Sequence, residues 1–91
     1  MIREKRWTVE ILVDEHDDER RTRAEARLRT PDAVILRSEG VARRHPADRE
    51  VPEVGDEVAV ARALFDLAHQ LLTAAALDVA EAGREPAELG M

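Results

Sequence analysis

The amino-acid sequence predicts an α+β fold, in which a three-stranded antiparallel sheet is followed by one long C-terminal helix. Two segments before residue 31 alternate between apolar and polar side chains, which is the period of half-buried strands. From Gly55 to Ala82, apolar residues recur three and four positions apart, which is the period of a helix with one apolar face. A chain of 91 residues makes one small domain, predicted to span residues 1–83.

The first two strands are predicted at residues 6–14 and 20–30. The first strand turns four apolar side chains to one face: Trp7, Val9, Ile11 and Val13. The second does the same with smaller side chains: Thr22, Ala24, Ala26 and Leu28. Alanine and arginine also favour helix, but strict alternation over nine residues favours a strand. A loop at residues 16–19 would set Val13 opposite Thr22 and Trp7 opposite Leu28.

Pro31 and Asp32 predict the turn into a third strand, because proline fixes φ for the first central position of a turn. A three-residue loop ending at Ala33 sets four residues inward, opposite Leu28, Ala26, Ala24 and Thr22 in turn: Leu36, Ser38, Gly40 and Ala42. Small residues at these positions allow a helix to approach the sheet closely. Trp7, Ile11 and Leu28 are expected to fill the thicker side.

The helix is predicted to turn two rows of apolar side chains toward the sheet or a partner helix. The first row is Val58, Ala61, Phe65, Ala68, Leu72, Ala75 and Val79, and the second is Val60, Leu64, Leu67 and Leu71. Asp56 and Glu57 are expected in the first turn, where carboxylates favour the positive end of the helix dipole. Gly83 is expected to end the helix, and residues 84–91 to form a flexible tail.

Composition and motifs argue against enzymatic chemistry. The chain has no cysteine, which excludes disulfides and thiolate chemistry. Its three histidines lack metal-ligand spacing, and no nucleophile motif or phosphate-binding glycine loop is present. We therefore expect no enzyme activity, metal, cofactor or small-molecule substrate. With neither a signal peptide nor a run of 18 apolar residues, a cytoplasmic protein with no membrane partner is expected.

The net charge is −6, but arginine is concentrated upstream of the helix. Five arginines on or beside the second and third strands form a candidate contact surface for RNA, the ribosome or another partner: Arg23, Arg27, Arg37, Arg43 and Arg44. Glu10, Glu25 and Glu39 share this layer and would pair with arginines across strands, which favours a salt-bridged solvent face instead. An acidic protein partner is the third interpretation.

Three apolar residues fall on the outer sheet face in the same register, with Leu12 and Val41 expected to flank Arg23: Leu12, Ile35 and Val41. Scattered exposed apolar residues are normal. The alternative is a dimer surface, which the small size of the core favours slightly.

Several blocks of the sequence resemble a family of small actinobacterial proteins of unknown function. They are RWTVEILVDEHDD, RTRAEARL and GVARRHPADREVPEVGDEVAVARALFDLAHQLL, and they cover about Arg6 to Val79. The resemblance implies a fold like the double-stranded-RNA-binding domain and a homodimer. It also implies dormancy- or stress-associated members similar in shape to ribosome hibernation-promoting factors. It implies no catalytic residues.

The resulting functional expectation is a non-enzymatic stress or dormancy module that contacts the ribosome or structured RNA through the five arginines. The alternative is a homodimeric protein-interaction module, scaffolding or regulatory, with no nucleic-acid binding. Salt separates the two, because phosphate contacts weaken steeply as ionic strength rises and an apolar interface does not.

Overall fold

The computed structural model describes residues 1–49 and 51–89, and side-chain environments for residues 1–49 and 51–83. Three strands precede one helix: β1 (Thr8–His16), β2 (Arg21–Arg29), β3 (Val34–Arg43) and α1 (Pro52–Leu89). The strands form one antiparallel sheet in the order β1-β2-β3. The predicted α+β fold is confirmed.

The pairing of β2 with β3 matches the predicted register. Leu28 pairs with Leu36, and Ala24 pairs with Gly40. Thr30 closes the turn, because its backbone N–H donates to the Ala33 carbonyl oxygen at 2.9 Å.

The predicted register between β1 and β2 is wrong by two residues. Val13 pairs with Ala24 instead of Thr22, although the inward sets still coincide. The cause is the connection, since β1 extends to His16 and the chain reverses through a 3₁₀ turn at Asp17–Glu19. Arg20 completes the reversal in the left-handed region at φ 49°, with its N–H donating to the Asp17 carbonyl oxygen at 3.1 Å.

The helix packs on the small residues of the sheet, as predicted, and it does so through small residues of its own. Ala59 and Ala63 are fully buried against Ala24 and Ala26. Gly40 lies so close to the helix that a Cβ there would overlap the Ala59 carbonyl oxygen and the Ala63 amide nitrogen. A backbone approach of this kind requires glycine.

Ser38 contributes the one buried polar side chain found within the described part of the molecule. Its hydroxyl donates to the Ala63 carbonyl oxygen at 2.6 Å, which ties β3 to the helix. The contact satisfies a hydroxyl that would otherwise be buried without a partner.

The prediction of which helix face the sheet covers is largely wrong. The residues buried against the sheet are Ala59, Ala63 and Leu67, whereas Phe65 is 78% exposed and Leu72 71% exposed. The sheet surface explains the difference. Large helix side chains would hold the backbones apart over Ala24, Ala26 and Gly40, so the helix turns its alanine row inward and its larger residues outward.

The helix ends also differ from the prediction. It begins at Pro52, so that Glu53 occupies the first turn in place of Asp56 and Glu57. Proline suits the first helical position, where its missing N–H needs no partner. At the other end the helix continues past Gly83 to Leu89. The prediction of a flexible tail concerns residues 84–91, whose side chains are outside the part of the chain that the structure describes.

Candidate functional surfaces

Arg23 lies at the centre of the outer sheet face and is surrounded by carboxylates. Its guanidinium is 3.0 Å from Glu39, 3.6 Å from Asp14 and 3.7 Å from Glu25. The hydrogen bond from Arg23 holds the pKa of Glu39 below its ordinary value and raises the pKa of Arg23. Most of the positive charge of Arg23 is therefore balanced locally.

Arg27 is paired in the same way. Its guanidinium contacts Glu25 through Nε and lies 3.7 Å from Glu10 on β1. Arg37, opposite Arg27 on β3, is exposed and forms no ion pair within residues 1–49 and 51–83. The outer sheet face thus carries mixed charge, as the salt-bridged interpretation expects, and the positive field needed for phosphate binding is reduced.

Arg43 and Arg44 lie elsewhere, at the end of β3 next to the β1–β2 turn. Arg44 donates its backbone N–H to the Arg20 carbonyl oxygen at 2.9 Å and its Nη1 to the Asp48 carbonyl oxygen at 2.9 Å. The five predicted arginines therefore divide into two groups. The second group lines a cleft, named here the end cleft, between the β1–β2 turn, the chain after β3 and the start of the helix.

The end cleft gathers six arginines among the residues described, and only Arg43 and Arg44 belong to the contact surface predicted from the sequence: Arg20, Arg21, Arg43, Arg44, Arg49 and Arg62. They come from four segments of chain, so no spacing pattern identifies them. The strand order and the position of the helix are the signal that could have identified them. In a βββα chain the β1–β2 turn, the end of β3 and the start of the helix meet at one end of the sheet.

The three outer apolar residues do not form a patch. Leu12 and Ile35 are exposed, and Val41 is half-buried. Leu12 pairs with Glu25 and Val41 with Arg23, so the expected position of Leu12 beside Arg23 is wrong, and charged neighbours separate the two. This arrangement favours isolated exposed side chains over a dimer surface.

A contiguous apolar surface exists on the other face of the sheet. The helix lies over β3 and β2, where Arg62 donates to the Val41 carbonyl oxygen at 2.6 Å and Gln70 to the Arg37 carbonyl oxygen at 2.9 Å. The inner face of β1 is left largely uncovered. Trp7 is 49% exposed, so its predicted place in the core is wrong, and Val9 and Val13 are exposed beside it.

The helix adds its own apolar side chains to this surface. Because Arg62 and Gln70 mark the side over β3, the 3.6-residue turn places Leu64 and Leu71 on the side toward β1. Phe65 and Leu72 follow them around the helix toward solvent. We call this surface the apolar groove. It is lined by Trp7, Val9, Val13, Leu64 and Leu71, and Phe65 and Leu72 form its outer edge on the side of the helix away from the sheet.

The helix also extends beyond the sheet. Its 38 residues span about 57 Å at 1.5 Å per residue, whereas the ten residues of β3 span about 33 Å. Among the side chains described, Ala74 is the last that is partly buried, and every one at residues 75–83 is exposed, including Leu77 and Val79. We call residues 75–83 the helix arm.

The stretch Pro52–Gly83 is long and apolar enough to cross a membrane, by length and composition only. This departs from the sequence-based expectation that no such segment is present. One such helix is weak evidence, since the mostly buried core helix of a soluble protein passes the same test, although only 11% of the apolar window in this helix is buried. Here the helix packs on the sheet through Ala59, Ala63 and Leu67.

Comparison with known proteins identifies the family. The chain is 47% identical over 83 residues to the uncharacterized protein Mb1767 of Mycobacterium bovis, covering 91% of this chain and 85% of that protein. It is 42% identical over 82 residues to the uncharacterized protein Rv2632c of Mycobacterium tuberculosis, covering 90% and 85%. The model of the Rv2632c-like family matches residues 5–88. The chain therefore belongs to the Rv2632c-like family of uncharacterised mycobacterial proteins.

Proposed function

We propose that this chain is a non-enzymatic interaction module that works as a homodimer, in which the helix arm of each protomer lies in the apolar groove of the other. The observation that carries the proposal is the apolar groove itself. Large side chains on β1 and on the adjoining side of the helix are exposed together, with Phe65 78% exposed. Monomeric soluble proteins rarely leave a contiguous apolar patch of this extent open to water.

The area is sufficient for a stable interface. The fractional exposures of the groove residues correspond to roughly 700 Å² of surface, close to the about 800 Å² that each partner contributes to a standard interface. The arm adds Leu77 and Val79, which are 65% and 71% exposed. A dimer of this kind would also enlarge a core in which no large side chain is fully buried among the residues described.

Self-complementarity favours a second copy as the occupant. The groove is a sheet surface beside a helix, and its shape accommodates another helix. The arm is a helix whose apolar side chains have no surface to cover. One molecule carries both, and a two-fold rotation that sets the helices antiparallel would fill both grooves with identical contacts.

Sedimentation equilibrium tests the proposal. The wild-type protein is expected at twice the 10.2 kDa chain mass, and Phe65→Gln with Leu72→Gln is expected to be monomeric. Both side chains are more than 70% exposed in one chain, so their replacement should not unfold the monomer. The matched control is His69→Gln with Thr73→Gln, two exposed residues on the polar side of the same helix, which should leave the dimer intact.

Two outcomes would overturn the proposal. A wild-type protein that stays monomeric at about 100 μM would exclude a functional homodimer, since stable interfaces of this area bind far more tightly. A Phe65→Gln, Leu72→Gln variant that is folded and still dimeric would exclude the apolar groove as the interface. Co-sedimentation of a monomeric wild-type protein with lipid vesicles would assign the exposed helix face to a membrane surface instead.

Contact with the ribosome or structured RNA stays a prediction, and the double-stranded-RNA-binding-domain-like shape and the dormancy role stay expectations that the family resemblance implies. The ion pairs of Arg23 and Arg27 favour the interaction module over it. The separating measurement is co-sedimentation with ribosomes at low and physiological salt. Salt-sensitive pelleting that is lost in Arg23→Glu with Arg27→Glu would favour the RNA hypothesis.

A further inference from the structure

The end cleft lies at the other end of the sheet from the helix arm, and the homodimer proposal makes no use of it. Its volume is about 470 Å³, within the range of small-molecule sites. Its walls are the β1–β2 turn, the end of β3, the connection to the helix and the first turns of the helix. Each wall contributes at least one arginine.

The charge of the end cleft is opposite to that of the whole chain. Among the residues described, six arginines line it with three acidic residues, Glu15, Asp17 and Asp48, whereas the chain as a whole carries a net charge of −6. The positive end of the helix dipole points the same way, because Pro52, Val54 and Gly55 line the cleft. The cleft therefore concentrates positive potential on an acidic protein.

Several of these guanidinium groups have N–H donors that no carboxylate of the described residues accepts from. Arg20, Arg43 and Arg49 form no ion pair within residues 1–49 and 51–83. Arg21 contacts Glu19 at 3.1 Å through Nη2, but its Nε is buried and without a hydrogen-bond partner in the described structure. An unpaired buried donor costs free energy unless a ligand or water accepts its hydrogen bond.

Another part of the lining is apolar. Val51, Pro52, Val54 and Val58 lie next to the arginines, and the one aromatic ring among the lining residues described is the imidazole of His16. Such a wall suits an aliphatic group better than a nucleobase, which proteins commonly hold by stacking on aromatic rings. The arginines suit a tetrahedral anion with several acceptor oxygens.

We propose that the end cleft binds a small organic phosphate, with its phosphate held by Arg21, Arg43 and Arg49 and its aliphatic part against Val54 and Val58. Inorganic phosphate shares the charged half of this chemistry and lacks the apolar half. The two ligands therefore distinguish a site built for an organic phosphate from one that takes any phosphate.

The experiment is a titration of the ¹⁵N-labelled full chain with n-butyl phosphate and, in parallel, with inorganic phosphate, followed by NMR. We expect saturable shifts of the amides around the cleft, with a dissociation constant below about 1 mM for butyl phosphate and severalfold weaker binding of inorganic phosphate. Arg43→Gln with Arg49→Gln should weaken butyl phosphate binding by about tenfold or more. Both residues are exposed, so the fold should persist.

The matched control is Arg29→Gln with Arg37→Gln, two exposed arginines at the opposite end of the sheet, which changes the net charge equally. The dissociation constant of this control variant for butyl phosphate should stay within about twofold of the wild-type value. Equal weakening in both variants would reduce the effect to general charge and overturn the site. An absence of saturable shifts up to about 10 mM would overturn it as well. Equal affinity for the two phosphates would exclude the aliphatic contact.

Discussion

Replacing Gly40 with alanine tests the packing on which the fold depends. The added Cβ would overlap the carbonyl oxygen of Ala59 and the amide nitrogen of Ala63. Both are backbone atoms of the helix, so neither can move unless the helix moves. A retreat of about 1 Å is needed to restore ordinary contact, and a gap of that size forfeits a quarter to a half of the attraction between the facing atoms. Overpacking of this kind costs about 1–3 kcal/mol in other proteins.

A second loss adds to the first. The Ser38 hydroxyl reaches the Ala63 carbonyl oxygen at 2.6 Å, and a helix that retreats breaks this buried hydrogen bond at a further cost of about 1–3 kcal/mol. Small domains have free energies of unfolding near 5 kcal/mol at the low end, so Gly40→Ala is expected to be marginally folded. Urea unfolding followed by circular dichroism, at one fixed protein concentration, measures the change.

The control is Gly83→Ala on the same helix. No described atom of the chain lies within 4 Å of a Cβ added there, so within one protomer helix propensity is the property that changes, and a gain of about 0.5–1 kcal/mol is expected. If Gly40→Ala unfolds within about 0.5 kcal/mol of the wild-type protein, the close approach of helix and sheet, and the reasoning from it, are wrong.

Three further substitutions have defined outcomes. Ser38→Ala should lower the free energy of unfolding by about 1 kcal/mol in urea, because the hydrogen bond to Ala63 is lost. Since Arg23 lowers the pKa of Glu39, the stabilisation that Glu39 contributes is fully present above its ordinary pKa of 4.5 and is lost as the pH falls through the lower folded value. The difference in urea midpoint between wild type and Glu39→Gln should therefore be constant above pH 4.5, decline below it, and vanish once the pH is below the folded pKa of Glu39. A difference that persists in stronger acid would exclude the ion pair as its cause. Arg20→Gly should raise stability by up to about 1 kcal/mol, because glycine adopts the left-handed backbone at φ 49° without strain, and a lower thermal midpoint would contradict that.

The predicted and observed sheets differ in an instructive place. The β2–β3 register could be predicted because Pro31 and Asp32 mark a short turn and fix which residues face one another. The β1–β2 register could not, because the acidic connection carries no turn signal. Arg20 takes a left-handed conformation there that sequence patterns assign to glycine or asparagine.

The helix face was missed for a different physical reason. Periodicity weights the largest apolar side chains, and it selected Phe65 and Leu72 as inward. On a sheet surface of alanine, serine and glycine, the smallest residues of the helix give the closest approach, so Ala59 and Ala63 are buried instead. The end cleft was missed because its arginines become neighbours only when the sheet is assembled.

The contact at Gly40 also has a consequence for how the strands find their partners. A slip of β3 by one residue would turn Glu39 or Val41 toward the helix, and a slip by two would place Ser38 or Ala42 where only glycine fits. The helix can therefore pack closely on the sheet in only one alignment of β3 with β2. A mispaired sheet therefore cannot bury the alanine row of the helix, and this loss of buried surface disfavours the wrong strand alignments.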